Sequence, residues 1–262
     1  MLKVNNIFKT FNQGTINSKK VLNGLNLNVN DGEFISIIGT NGAGKSTLMN
    51  AIAGSIAIDE GNIVLDGVDI TNMKDYKRAK YIGRLFQDPM KSTAPNMTII
   101  ENLGLAYSRG SKRSLSWAIK KKDIELFKSI LSDLNMGLED RMDTKVKYLS
   151  GGQRQALTLI MATIKKPKLL LLDEHTAALD PVAQEKIMNI TNRIINENKI
   201  TTLMITHNLN QALNYGDRMI MLDRGKVAFE LSIEDRKNLS PSNLIERYNK
   251  SLLDGFSDEM LF

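Results

Sequence analysis

The feature that most constrains the fold is a glycine-rich stretch between a strand-like run and a helix-like run. Phe34-Ile35-Ser36-Ile37-Ile38 is short, apolar and rich in β-branched residues, and Gly39-Thr40-Asn41-Gly42-Ala43-Gly44-Lys45-Ser46-Thr47 follows it directly. Residues 45–53 have a helical composition that ends at Gly54. The order strand, Gly-x-x-x-x-Gly-Lys-Ser, helix is typical of a phosphate-binding loop.

Each residue type in this loop has a physical role. Glycines let successive backbone N–H groups face one anion, and the positive end of the following helix favours the same phosphates. Lys45 can reach the outer phosphates, and the Ser46 hydroxyl can ligate Mg²⁺. A plain glycine turn would not require Lys-Ser at the start of a helix. The candidate phosphate-binding residues are Gly39, Asn41, Gly42, Ala43, Gly44, Lys45, Ser46 and Thr47.

A pair of carboxylates follows the apolar run Leu169-Leu170-Leu171-Leu172. A buried strand would deliver Asp173 to its exposed end, where it is a candidate metal ligand. Glu174 points in another direction from the next position and can polarise an attacking water. Because two adjacent carboxylates repel each other, a cation is expected nearby. Together with the phosphate loop, this pair predicts hydrolysis of a nucleotide.

A second candidate anion site begins at Leu149-Ser150-Gly151-Gly152-Gln153. Ser150 is a good N-cap for a helix that ends before Pro167, and positions 157, 160, 161 and 164 form its apolar face. Two glycines in a first turn cost helix stability, which a plain capped helix does not explain. They do leave backbone N–H groups exposed toward an anion.

Strand-like and helix-like segments alternate through much of the chain, which predicts a mostly parallel sheet covered on both faces. Leu25, Leu27 and Val29 alternate with polar residues as in an early strand. From about 88 to 150 the apolar spacing becomes helical. A helix face at 182, 187, 190 and 194, a strand at 202–205 and a hairpin at 219–231 follow, and the tail from Ser232 is polar and weakly helical.

The motifs, in this order, resemble the nucleotide-binding subunit of an ABC transporter over residues 2–231. They are the phosphate loop, Leu-Ser-Gly-Gly-Gln, the apolar strand with Asp-Glu, Ala178-Leu179-Asp180 and Thr206-His207. The resemblance implies an α/β P-loop NTPase with a RecA-like core, an antiparallel β lobe and an α-helical subdomain at about 88–160, the ABC ATPase architecture. It places an ATPase domain at 1–231 and a C-terminal tail at 232–262.

The resemblance also assigns roles to single residues. Gln87 matches the glutamine that senses Mg²⁺ and the membrane partner, Asp180 matches the D-loop aspartate, and His207 matches the histidine at the γ-phosphate. Phe11 lies where the family stacks an aromatic ring on adenine; a phenylalanine in the core of a strand is the alternative. For His207 the alternative is a histidine that is merely buried. The implied catalytic residues are Glu174, His207, Gln87 and Asp180. The implied metal ligands are Ser46, Gln87 and Asp173. The implied further ATP contacts are Phe11, Ser150, Gly151, Gly152 and Gln153.

The cofactors that the resemblance implies are ATP and Mg²⁺. The implied partners are an integral membrane permease, an extracellular substrate-binding protein that acts indirectly, and a second copy of the chain. In the homodimer each ATP lies between one phosphate loop and the other subunit's Ser150-Gly151-Gly152. This places the chain on the cytoplasmic face of the cell membrane, powering solute import.

One departure from the family is His175 in place of the usual proline, which we interpret as a tolerated loop residue; the alternative is a histidine that tunes the neighbouring carboxylate. The stretch 173–181, with Phe86-Gln87-Asp88-Pro89-Met90, resembles a subgroup often assigned to aromatic amino-acid uptake.

Composition limits the alternatives. There is no cysteine, which excludes disulfides and thiolate metal sites, and the two histidines make a histidine-built metal site unfavourable. No apolar run approaches the ~18 residues that span a bilayer, and no signal peptide is expected. The net charge of +6 fits a solvated basic surface. The basic blocks lack interleaved aromatics, so nucleic acid is not expected as a partner. A soluble single-cassette ATPase with a cytosolic partner stays open.

Overall fold

The computed structural model describes residues 1–110, 119–237 and 239–247, in which the strands form two sheets. The first sheet is antiparallel, with the order β2-β1-β4-β5. Its strands are β1 (Leu2–Phe11), β2 (Lys19–Val29), β4 (Glu60–Leu65) and β5 (Val68–Asp69). The second sheet has the order β10-β9-β3-β8-β7-β6 and is parallel except for the hairpin β9–β10. Its strands are β3 (Phe34–Gly39), β6 (Ile82–Leu85), β7 (Leu169–Asp173), β8 (Thr202–Ile205), β9 (Arg218–Asp223) and β10 (Lys226–Ser232).

Several of the helices begin or end at recognisable capping residues. The helices are α1 (Lys45–Ala53), α2 (Asp75–Arg78), α3 (Ile99–Tyr107), α4 (Lys121–Ser132), α5 (Gly151–Thr163), α6 (Pro181–Asn198), α7 (Leu209–Asn214) and α8 (Ile233–Arg236). Helix α1 ends at Gly54, whose left-handed backbone a residue with a side chain rarely adopts. Thr98 with Glu101, and Ser150 with Gln153, form capping boxes at α3 and α5. None of the helices in the described part of the chain has the length and apolarity needed to cross a membrane.

The core lies on both faces of the six-stranded sheet, as a buried parallel sheet requires. Leu169 and Leu171 pack with the antiparallel sheet and α1, whereas Leu170 and Leu172 pack with α5 and α6. This alternation confirms the predicted apolar strand and leaves Asp173 at its end. Helices α3, α4 and α5 follow one another between β6 and β7, in the part of the chain where the sequence predicts the helical subdomain. Residues 111–118 of that subdomain, and residues 238 and 248–262 of the predicted tail, lie outside the described residues.

Two expectations about burial are wrong. Val182 was expected on the buried face of α6 but is 80% exposed, because it lies in the first turn, before the helix reaches the core. The tail is also more than a polar extension. Arg236 and Leu244 are buried against the end of the sheet, and Leu244 packs in a cluster with Ile38 and Met221.

Candidate active site

The phosphate loop joins β3 to α1 and keeps its backbone open. Gly44 precedes α1 with φ 103° and places no side chain on the first-turn N–H groups. A methyl group on Gly44 would lie 2.8 Å from the carbonyl oxygen of Val21, and one on Gly39 would collide with the carbonyl oxygen of Leu222. Glycine is therefore required at both positions by close backbone approach as well as by backbone angle. The arrangement suits an anion at the helix N-terminus.

Lys45 closes the loop on itself. Its Nζ donates hydrogen bonds to the carbonyl oxygens of Gly39 at 2.8 Å and Thr40 at 3.0 Å. Burial lowers the pKa of Lys45, and the charges of Glu174 and Asp173 oppose that shift. The ammonium group is thus held at the loop, close enough to both carboxylates for their charges to act on it.

Asp173 stands at the end of β7 with a partner from the neighbouring strand. Burial raises the pKa of this carboxyl, and the guanidinium of Arg84 opposes that rise. Arg84 Nη2 lies 3.6 Å from Asp173 Oδ2 and donates to Asn50 Oδ1 on α1 at 2.7 Å. The cation expected beside the two carboxylates is therefore Arg84, with Lys45 nearby. Because β6 and β7 are adjacent, Arg84 reaches the end of β7 across the sheet.

Glu174 and His207 meet directly. His207 Nε2 lies 2.7 Å from Glu174 Oε1, although the two residues follow different strands, β7 and β8. The Glu174 side chain is 15% exposed and that of His207 is 49% exposed, so the pair borders solvent. Glu174 takes a left-handed backbone angle, φ 49°, which is unusual for a residue other than glycine and marks functional sites when neighbours enforce it. The alternative of a merely buried His207 does not fit its exposure.

The second candidate anion site lies at the start of α5. Ser150 Oγ accepts a hydrogen bond from the backbone N–H of Gln153 at 3.2 Å, and Gln153 Oε1 accepts from that of Ser150 at 3.2 Å. Ser150 and Gly151 are exposed. A methyl group on Gly151 would lie 3.2 Å from the Leu179 side chain, so the first turn has little room there. This site has neighbours different from those of the phosphate loop.

Three further predicted residues lie at the edges of these elements. Phe11 ends β1 and is 37% exposed, which contradicts a core role and leaves the ring available for stacking. Lys19 pairs with Phe11 across the sheet, and its Nζ lies 3.6 Å from where a methyl group on Gly42 would be. Gln87 follows β6 and is exposed. Asp180 caps α6 by accepting from the N–H of Ala183 at 3.0 Å.

His175 lies in a turn after β7 and is buried there. It is 2% exposed, and burial lowers its pKa to about 4. Its Nε2 lies 3.3 Å from Thr191 Oγ1, and Thr191 donates its own proton to the carbonyl oxygen of Ile187 at 2.8 Å. Thr191 is therefore left to accept from the ring, which places a proton on Nε2. The lowered pKa makes this imidazole neutral near pH 7.

The donor set at the site fits magnesium. Mg²⁺ takes hard oxygen ligands and usually keeps substrate phosphates and waters, with only one or two protein carboxylates. Asp173 and the exposed Ser46 hydroxyl supply such oxygens. Among the described residues no three acidic or histidine side chains converge as a ready-made metal cage, so the phosphates would complete the coordination.

Sequence reasoning missed the residues that tie these loops together. Arg84 lies in a strand of mostly apolar residues, where no sequence pattern indicates a functional role. Gln211 lies in a short helix that carries no recognised motif. Thr206 donates to Gln211 Oε1 at 2.9 Å, and Gln211 Nε2 donates to Thr176 at 3.2 Å. No sequence signal marks Gln211, because its burial is visible only in the structure.

Comparisons with known proteins define the class. The family model described as ABC transporter matches residues 22–177, and the chain belongs to that family. It is an ATP-hydrolysing subunit that powers solute import through a separate permease.

Its relatives are named for the transport of different solutes. The chain is 44% identical over 248 residues to a tyrosine transport ATP-binding protein of Clostridioides difficile, covering 95% of this chain and 98% of the relative. It is 34% identical to a phosphonates import ATP-binding protein of Oceanobacillus iheyensis, covering 100% and 98%. A solved dimeric ATP-binding cassette, in a post-hydrolysis state bound to ADP and phosphate, aligns with a TM-score of 0.75 and 30% identity over 89% of this chain and 99% of that cassette.

Proposed function

We propose that this subunit hydrolyses ATP in a site shared between two copies of the chain and so drives uptake of an aromatic amino acid, with tyrosine first among the candidates. The catalytic part of the proposal is carried by the 2.7 Å contact between Glu174 and His207, which follow the adjacent strands β7 and β8; β8 in turn lies beside β3, the strand of the phosphate loop. A carboxylate and an imidazole in contact, next to an open phosphate loop, suit the activation of water against a bound phosphate.

Two copies are needed because the two candidate anion sites, the phosphate loop and the start of α5, have different neighbours within one chain. ATP held by the phosphate loop of one copy is completed by Ser150, Gly151 and Gly152 of the other, in a head-to-tail dimer. The phosphates supply the bridging charge, so ATP stabilises the dimer by mass action. Hydrolysis removes the bridge and lets the copies separate. The dimeric cassette bound to ADP and phosphate, to which this chain is similar, supports this arrangement.

Within each site the chain's residues divide the work. Phe11 stacks on the adenine, the phosphate-loop N–H groups and Lys45 hold the phosphates, and Glu174 orients the attacking water. Mg²⁺, when bound through Ser46, Asp173 and Gln87, neutralises charge on the phosphates. Asp180 lies at the start of α6, on the same chain segment as Glu174.

The cargo assignment rests on similarity along nearly the whole chain. The tyrosine transport relative covers 95% of this sequence. The stretch 173–181 resembles the subgroup often assigned to aromatic amino-acid uptake. Because this subunit does not itself bind the cargo, the permease and an extracellular substrate-binding protein would select it. Deleting the gene and measuring uptake of labelled tyrosine, tryptophan and leucine tests the assignment. We expect loss of tyrosine uptake with leucine uptake retained; unchanged tyrosine uptake would remove the cargo claim.

The permease-facing surface is the segment after Gln87, within the helical subdomain of an ATPase domain that spans 1–231. Met90 and Met97 are partly exposed, and methionine suits a surface that repacks during a cycle. Buried Asn102 holds the segment in shape by bonding both the N–H (2.8 Å) and the carbonyl (3.1 Å) of Ala94. Docking through this segment holds the chain at the cytoplasmic face of the membrane. The tail 232–262 is not part of the segment. Met90→Glu and Met97→Glu should uncouple transport and leave ATP binding intact, whereas normal transport would place the surface elsewhere.

Two substitutions test the shared site, because a site built within one copy predicts the same loss of nucleotide binding for both. Lys45→Ala should weaken binding of a fluorescent nucleotide, because Lys45 belongs to the copy that holds ATP. Ser150→Arg should keep binding and abolish hydrolysis, because Ser150 serves the ATP of the partner copy. Titration of both variants, with ATPase activity measured in parallel, decides between the models. Equal loss of binding in the two variants would contradict the shared site.

A further inference from the structure

A buried hydrogen-bonded bridge lies behind the Glu174–His207 contact. Gln211, in the first turn of α7, is 9% exposed, and its side-chain amide spans two loops. Thr206 Oγ1 donates to Gln211 Oε1 at 2.9 Å, and Gln211 Nε2 donates to Thr176 Oγ1 at 3.2 Å. Thr176 and Thr206 are 4% and 5% exposed, so the whole bridge is shielded from water.

The two threonines lie within two residues of the catalytic pair. Thr176 is two residues after Glu174, and Thr206 directly precedes His207. The loops they belong to are also joined by the backbone bond from Glu174 N to Ile205 O at 3.0 Å. The Gln211 bridge is the buried side-chain link between them, and a hydrogen bond in a low-dielectric interior resists rearrangement.

The hydrogen bonds of the two threonines match those of the amide. Thr206 Oγ1 accepts from the N–H of Asn208 at 3.0 Å, so its own proton is available to Gln211 Oε1. The amide nitrogen faces Thr176 and donates to its hydroxyl oxygen. One amide group therefore joins the two threonines, and its width sets the distance between the two loops.

We propose that Gln211 is a positioning residue for hydrolysis: it holds the loop of Glu174 and the loop of His207 at the separation their contact needs. This inference rests on the catalytic roles proposed above for Glu174 and His207. Gln211 bonds to Thr176 and Thr206 and acts on Glu174 and His207 through them. Since small displacements of reacting groups cost rate steeply, loss of the bridge lowers kcat more than it lowers ATP affinity.

If Gln211 only stabilised α7, its substitution would raise the Kd for ATP in step with the loss of kcat. Helix α7 has other anchors at both ends. Asn208 Oδ1 caps its first turn by accepting from the N–H of Gln211 at 3.2 Å, and the Arg236 guanidinium donates to the carbonyl oxygen of Ala212 at 2.7 Å and to that of Tyr215 at 3.1 Å. Neither anchor uses the Gln211 side chain, so the helix retains them when that side chain changes.

The test compares Gln211→Leu with the neighbouring control Asn210→Leu, whose side chain is exposed on the same helix. We expect Gln211→Leu to lower kcat about tenfold or more while the Kd for ATP stays within about twofold. Gln211→Glu should recover most of the rate, because its carboxylate can accept from both threonine hydroxyls. The Asn210→Leu variant should keep both constants. Unchanged kcat in Gln211→Leu, or a Kd that rises in step with the loss of kcat, would overturn the proposal.

A double-mutant cycle separates this inference from the proposed function. If Gln211 acts through the catalytic pair, Gln211→Leu should add less than about twofold to the loss already caused by His207→Ala; full multiplication of the two losses would refute it. Thr176→Val removes only one bond of the bridge and gives the same test with less risk to folding, with a smaller loss of kcat at unchanged Kd expected. If His207→Ala leaves kcat unchanged, the proposed catalytic roles fail, and this inference fails with them. If His207→Ala lowers kcat and Gln211→Leu does not, the inference alone fails.

Discussion

Acid should destabilise this protein through His175, a buried residue directly after Glu174, the carboxylate proposed above to act in catalysis. Burial lowers its pKa to about 4, whereas an unfolded histidine titrates near ~6.5. Between these values the unfolded chain binds a proton that the folded chain excludes, so the free energy of unfolding falls as the pH falls through that window. The stabilising contribution is complete above the unfolded pKa. Linkage gives a loss of about 2 kcal/mol between about pH 7.5 and about pH 5, approaching about 3 kcal/mol below pH 4.

The matched variant is His175→Gln, which can still donate to Thr191 and does not titrate in this range. Urea unfolding of both proteins at the two pH values isolates the histidine, because the remaining carboxylates contribute equally to both. The free energy of unfolding of the parent should fall by about 2 kcal/mol more than that of the variant. Parallel pH dependence in the two proteins would refute the buried, neutral state of His175.

Two further predictions concern arginine side chains. Arg84→Met removes the charge that opposes the rise in the pKa of Asp173, so the acid limb of the pH profile of kcat/KM for ATP should move to higher pH. Arg84→Lys keeps the charge and should leave that limb in place. Superimposable pH profiles for all three proteins would contradict this role of Arg84. Arg236→Met removes the guanidinium that donates to the carbonyl oxygens of Ala212 and Tyr215; Tyr215 keeps its bond from Ser36 Oγ, whereas Ala212 loses its buried side-chain donor. The substitution should lower the free energy of unfolding by about 1–3 kcal/mol, against less than about 0.5 kcal/mol for the exposed neighbour in Lys237→Met. Urea melts of equal midpoint would show that water replaces the guanidinium.

Most of the site follows from short stretches of sequence, because its parts are local. The strand before Gly39, the helix from Lys45 to Gly54 and the apolar run before Asp173 are each formed by consecutive residues whose types determine the local backbone. Ser150 and Gln153 likewise form a capping box three residues apart. Periodicity also separates strands buried on both faces from helices with one apolar face.

The remaining contacts depend on which strands are neighbours, and local patterns do not carry that information. Arg84 meets Asp173 because β6 and β7 are adjacent, and Gln211 meets Thr176 because β7 and β8 are adjacent. The residues after β7, including His175, have the sequence of a loop. The burial of His175 depends on tertiary packing, which the local sequence does not show. Val182 shows the converse, since an apolar residue in a helical repeat is exposed when it lies in the turn before the core begins.

The shared, ATP-bridged site is tested most directly by the state of Glu174→Gln with ATP. The substitution keeps the shape of the side chain and removes the charge that activates water, so ATP stays bound and the bridge stays intact. Size-exclusion chromatography with light scattering should show a dimer with ATP and a monomer with ADP, with hydrolysis nearly abolished. A variant that stays monomeric with ATP and hydrolyses it at the parental rate would contradict both the role of Glu174 and the shared site.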